Sequence, residues 1–160
     1  MRDTPHPSER AEAAELQSCA CFNLRKAGRA VTQLYDDILR PSGLRVTQFS
    51  LLTLIRLIGT PSVTALADAA VVDRTTLTRN LGVLAKEGLI QIREGEDARV
   101  REVALTAAGR ARLAAAQPYW REAQSRMTDA LGRVRLKHLL ADLSGAVAAG
   151  QAGRGLEEGT

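Results

Sequence analysis

Only 3% of the 160 residues are aromatic, too few for the stacking platforms that hold single-stranded nucleic acid. The two cysteines, Cys19 and Cys21, are too few and too close for a disulfide framework, and the two histidines, His6 and His138, lie far apart without cysteine or carboxylate neighbours at metal spacing. Neither a metal nor any other cofactor is expected. No glycine-rich phosphate loop or nucleophile elbow occurs, and the carboxylate pairs Asp36-Asp37 and Glu157-Glu158 read as a helix face and a tail. With no acid, base and oxyanion donor in one place, the chain is expected not to be an enzyme. Membrane spans need about 18 uninterrupted apolar residues and none is present; the start, MRDTPHPSER, has no apolar core like a secretory signal. A cytoplasmic protein is expected.

A hydrophobic content of 45% suffices for one core, so one domain is expected over residues 13–150, between unstructured tails at 1–12 and 151–160. Basic residues outnumber acidic ones, 22 to 18, and the net charge of +4 favours a polyanionic partner. With few aromatics, duplex DNA is the better candidate.

The patterning predicts a mainly α fold with a small β-hairpin. Leu16, Leu24, Ala27, Val31, Leu34 and Ile38 recur at helical spacing along one long first helix, about 13–40. Thr47 is a candidate N-cap for a second helix whose Phe49, Leu52, Ile55 and Leu57 are expected in the core, before the Gly59-Thr60-Pro61 breaker. Ser62 caps a short third helix to about Ala70, and Asp73 caps a fourth from Arg74 to about Glu87, with Leu77, Leu81 and Leu84 inward and Gly88 as the stop. Two helices joined so tightly form a helix-turn-helix. Leu89–Glu94 and Arg99–Leu105, parted by Gly95-Glu96-Asp97-Ala98, form a hairpin wing. Thr106 caps a fifth helix in which Pro118 is expected to introduce a kink, and a sixth runs from about Arg133 to Ala149 with Leu136, Leu139, Leu140, Leu143 and Val147 in one stripe. The architecture is a winged helix-turn-helix, about 47–105, with dimerisation helices at about 13–40 and 107–149.

Opposite the leucines of the fourth helix fall Thr75, Arg79, Gly82 and Lys86, free to enter a major groove where Arg reads guanine and Thr a base edge or methyl. Arg74, Thr76 and Thr78, with Ser62 and Thr64 at the start of the third helix, complete the candidate DNA-binding set on this side. The wing contributes Arg93, Asp97, Arg99 and Arg101, and Asp97 is expected to hold the Arg99 guanidinium extended for the minor groove.

The run VTALADAAVVDRTTLTRNLGVLAKEGLIQIREGEDARVREVALTAAG, residues 63–109, resembles the winged helix of the MarR family of regulators, including its Asp-x-Arg wing tip and the Leu-Thr-x-x-Gly that opens the next helix. The resemblance implies an obligate homodimer on a pseudo-palindromic operator, a repressor released by a signal. Apolar stripes on the first and last helices independently call for such a cover. An alternative is a winged-helix docking module without DNA binding.

Two signals are compatible with this reading: a small aromatic ligand, or an oxidant. The segment CFNLRKAGRAVTQLYDDILRPSGL, starting at Cys21, resembles the organic-hydroperoxide-sensing branch, in which a first-helix cysteine is oxidised. Val46 and Phe49 stand where that branch has supporting tyrosines, with Tyr35 as a partial substitute. Cys21 is thus a candidate sensor or a small buried apolar residue, and Cys19, two residues earlier on the same helix, should diverge from it by about 200°.

Overall fold

The computed structural model describes residues 7–95, 97 and 99–155. The expected first helix is two helices, α1 (Pro7–Ser18) and α2 (Ala20–Leu39). Cys19 between them is extended, at φ −68° and ψ 116°. Local bonds compete with helix continuation there: Ser18 Oγ donates to the Glu15 carbonyl at 2.8 Å, and the Asn23 side-chain amide donates to the Gln17 and Cys19 carbonyls at 2.7 and 2.9 Å. The helical angle expected between Cys19 and Cys21 therefore does not apply. Helix also begins earlier than the expected tail boundary at residue 12, since proline is tolerated at the first helical position. Residues 1–6 of that tail lie outside the described residues.

After α2, a 3-10 turn (Arg40–Ser42) and Gly43, at φ 74°, lead into α3 (Val46–Ile58). Its N-cap is Arg45, not Thr47; the Arg45 N–H is taken by Gln48 Oε1 at 2.9 Å, and the Val46 N–H by Asp36 Oδ1 at 2.7 Å. Phe49, Leu51, Leu52 and Ile55 are buried, whereas Leu57 is 72% exposed. Two residues beyond Ile55 on a helix is about 200° around it, so Leu57 leaves the core face.

Ser62 caps α4 (Val63–Ala70), accepting from the Ala65 N–H at 3.0 Å, and Asp73 caps α5 (Arg74–Lys86), accepting from the Thr76 N–H at 2.8 Å. The Thr76 N–H also holds the Asp73 carboxyl below its ordinary pKa. Between the helices Val71 is left-handed, at φ 53° and ψ 46°, a region that branched side chains rarely enter. Among the described residues it is the only non-glycine with positive φ. That conformation costs an L-residue about 1–2 kcal/mol, and glycine returns part of the gain through its freer unfolded chain. Because Val71 is 45% exposed, Val71→Gly is expected to raise stability by about 0.5–1 kcal/mol in urea melts, and a loss would contradict the strain.

Strands β1 (Ile90–Glu94) and β2 (Arg101–Leu105) pair antiparallel, with Ile90 opposite Leu105, Ile92 opposite Val103 and Arg93 opposite Glu102. Arg99 and Val100 belong to the turn rather than to the strand expected from Arg99; Glu96 and Ala98 lie outside the described residues. The hairpin is anchored through the Val103 N–H, which donates to the Pro61 carbonyl at 2.9 Å. Helices α3 and α4 pack on β2, and α5 packs on α4 and β1. Leu66, Leu77, Leu81, Leu84 and Val103 are fully buried in this core.

Thr106 caps α6 (Ala107–Leu131): its hydroxyl accepts from the Gly109 N–H at 2.9 Å and donates to the Gly88 carbonyl at 2.7 Å. Pro118 lies within this helix. Gly132, at φ 80°, separates it from α7 (Arg133–Gly155), which continues past the expected boundary at residue 150. The described residues form two compact units that divide between Tyr119 and Trp120. In the second unit Val134, Leu139, Leu140 and Val147 are exposed, so α7 does not bury its own apolar face within the single chain. Residues 156–160 lie outside the described residues.

Candidate nucleic-acid interface

The short α4 and the capped α5 set two helix starts beside the hairpin, and a cavity of about 560 Å³ opens where the three elements meet. Ser62 and Thr64 reach it from α4, Arg74 and Thr78 from α5, and Arg99 and Arg101 from the wing. A second, open depression of about 440 Å³ runs along α5 between Arg74, Thr75, Thr78 and Arg79. Sharing Arg74 and Thr78, the two make one basic surface. Among the described residues no carboxylate lines either depression; the Asp73 carboxylate at the start of α5 is committed to the Thr76 N–H.

The α5 leucines Leu77, Leu81 and Leu84 are buried, while Thr75, Arg79, Gly82 and Lys86 are exposed. Thr78 Oγ1 donates to the Arg74 carbonyl at 2.7 Å, so its methyl group and lone pairs are what it has left to offer a ligand. Thr76 is exposed but outside both depressions, and its N–H is committed to Asp73. Lys86 stands in the last turn of α5, likewise outside them.

Strand parity divides the expected wing residues. Successive side chains of a strand point to opposite faces, and directly paired residues share one face. Arg101, opposite Glu94, shares the face of Ile92 and the buried Val103, whereas Arg93, opposite Glu102, is on the other. There its guanidinium donates to Gln91 Oε1 through Nε, at 3.1 Å, and through Nη2. The structure thus gathers Arg99 and Arg101 with α5 and leaves Arg93 apart.

Asp97 does not hold the Arg99 guanidinium. Its Oδ1 accepts instead from the Arg99 backbone N–H at 2.9 Å, while its carbonyl accepts from the Val100 N–H at 2.8 Å. A backbone N–H two residues on is nearer and already rigid, so the carboxylate shapes the turn and leaves the guanidinium to project. Sequence reasoning missed Ile92 and Val100, which line the cavity beside these arginines. The period-2 signal counted back from Val103 would have found Ile92 once the register was known.

Both cysteines are free and exposed, so Cys21 is not a buried packing residue in the single chain. Tyr35 is buried, and burial pushes its phenol above the usual tyrosine pKa. It lies 14 residues from Cys21 along α2, about 21 Å of helix rise, and cannot support that thiol in its own chain. Among the described residues no group of three or more His, Cys, Asp or Glu could hold a metal ion, and no helix is long and apolar enough to cross a membrane.

Residues 44–100 match the MarR family. The M. tuberculosis transcriptional regulator MosR, solved in complex with DNA, is 44% identical, over 82% of this chain and 98% of that one, at a TM-score of 0.74. The transcriptional repressor CouR, bound to a 23-mer DNA duplex, is 27% identical, over 83% of this chain and 95% of its own, at a TM-score of 0.75. A curated relative, the helix-turn-helix-type transcriptional regulator YwoH of Bacillus subtilis (strain 168), is 31% identical over 83 residues, which span 52% of this chain and 61% of that protein's length.

Proposed function

Because this chain belongs to the MarR family, we propose that it is a cytoplasmic, sequence-specific transcription regulator that binds duplex DNA as a homodimer and has no catalytic activity of its own. One observation carries the reading: the arginines of α5 and the wing tip line a continuous surface that no carboxylate among the described residues lines. A recognition helix beside a basic wing suits a major groove and the adjoining minor groove. The DNA complexes of the MosR and CouR relatives support this assignment.

The dimer follows from what the single chain leaves uncovered. Leu16 and Leu24 are exposed on α1 and α2, and Leu139, Leu140 and Val147 on α7. A second copy would cover these stripes, and two-fold symmetry would set two recognition helices about 34 Å apart, one turn of DNA. Such a dimer reads a pseudo-palindromic operator and acts as a repressor when that operator overlaps a promoter.

Release comes from a small aromatic ligand or from thiol oxidation. In the second case a hydroperoxide oxygen bonds to the Cys21 sulfur and the O–O bond breaks. The thiol proton leaves with the departing alcohol, giving a sulfenic acid open to capture by another thiol. The exposure of Cys21 next to the α1–α2 break supports access.

Fluorescence anisotropy with DNA from upstream of the protein's own and neighbouring genes tests the main reading. Binding should prefer one site and weaken steeply with salt, by about 0.9 in log–log slope per phosphate contacted. Failure to retain any duplex in dilute buffer would end it. For the signal, peroxide should weaken wild-type binding and spare Cys21→Ser; equal insensitivity of both leaves only the small ligand.

A further inference from the structure

A larger cavity than the α5–wing cleft, about 830 Å³, lies on the polar side of α2. Helical spacing builds it: Arg25, Arg29, Thr32, Asp36 and Arg40 recur every three or four residues, away from the Leu24, Val31 and Ile38 stripe. The turn Gly43-Leu44-Arg45 supplies the remainder of the lining. Among the described residues Leu44 is the only apolar side chain in it, whereas sites for apolar ligands are lined mostly by hydrophobic and aromatic groups.

The lining holds four arginines and two aspartates, and both aspartates are engaged. Asp37 pairs with Arg40, and Asp36 accepts the Val46 N–H at the start of α3. Arg25 and Arg29 make no hydrogen bond or ion pair with any other described residue. They stand one helical turn apart, where like charges repel unless an anion lies between them. A further guanidinium closes on the turn: Arg112 Nη1 would lie 2.9 Å from a Cβ at Gly43. Gly28, beside the pair, has open space where its Cβ would be. Mid-helix glycine costs stability relative to alanine, and here it leaves room for a ligand to approach the backbone.

We infer that this groove binds phosphate oxyanions, for which the planar guanidinium fork is the favoured partner. The phosphates come either from a DNA backbone or from a free small molecule carrying a pyrophosphate. The site is separate from the α5–wing surface, and the free-ligand arm of the test does not depend on the proposed function.

Full-length protein is titrated with inorganic pyrophosphate by calorimetry, without DNA, and its duplex affinity is measured in parallel across salt concentrations. The variants are Arg25→Gln/Arg29→Gln and Arg25→Lys/Arg29→Lys, with circular dichroism melts to confirm folding. If the source is a free ligand, the wild type binds pyrophosphate, the glutamine pair binds roughly tenfold more weakly or worse, the lysine pair retains part of the affinity, and the DNA slopes agree. If the source is the DNA backbone, the glutamine pair lowers the salt slope by about 1.8 without a pyrophosphate signal in the wild type. No pyrophosphate binding together with no slope difference overturns the inference, even where the wild type binds no duplex. That last result alone would defeat the proposed function while the calorimetry still decides the groove.

Discussion

Arg79→Ala is expected to weaken binding to the preferred operator by about 1–3 kcal/mol, roughly fivefold to 150-fold, while binding to unrelated duplex changes little. Arg79 lies on the exposed side of α5, with Leu77, Leu81 and Leu84 fixing the opposite side in the core. In the proposed DNA complex a guanidinium so placed would read a base edge, so that its loss would remove discrimination more than attraction. The wing arginines should behave otherwise. Arg99→Ala and Arg101→Ala are each expected to weaken all sequences alike and to lower the salt slope by about 0.9, because each would neutralise backbone charge in the proposed complex. Arg93→Ala should alter neither slope nor preference, since strand parity puts it on the other hairpin face with Gln91. Anisotropy on cognate and scrambled duplexes at several salt concentrations separates the three behaviours. Equal losses from Arg93→Ala and Arg101→Ala would mean that the hairpin approaches DNA by another face.

The second large effect concerns stability. A Cβ at Gly109 would sit 1.9 Å from the Leu89 carbonyl oxygen and 2.9 Å from its carbon, a backbone contact that no rotamer can relieve. Leu89 also accepts the Thr106 N–H at 3.1 Å, so moving α6 away would break the bonds that seat this helix against the start of β1. Gly109→Ala is therefore expected to cost roughly 3 kcal/mol, about 6–12 °C in melting temperature. Thr106→Ser, which keeps the capping hydroxyl, should stay within about 1 kcal/mol of wild type. A Gly109→Ala protein that melts with the wild type would show that α6 has slack at this contact. The contact also gives the Leu-Thr-x-x-Gly segment a physical meaning: threonine ties the helix start to Gly88, and glycine lets the two backbones meet.

The departures from the sequence reading share a cause. Arg93 and Arg101 are alike in composition and exposure, but their hairpin register, with Arg93 against Glu102, assigns them to opposite faces, and a one-residue slip would exchange them. Asp97 and Arg99 are complementary charges two residues apart, yet the backbone N–H took the carboxylate. Helical periodicity passes through Cys19, but the Asn23 and Ser18 side chains bond the carbonyls around it and interrupt the helix. In each case several partners lay within reach, and composition and spacing do not rank them.

By itself, the order of residues determined what depends on neighbours three or four positions away. The caps at Ser62, Asp73 and Thr106 and the inward leucines of α5 follow from local hydrogen bonding and from one helical period, which no distant contact can change cheaply. Tertiary structure alone decided which arginines share a cavity, why residue 109 is glycine, and where α2 leaves two guanidiniums with no ion pair among the described residues. Those outcomes depend on strand register and on the approach of segments far apart in the chain. They are set by the packing of the whole core, so no window of sequence contains them.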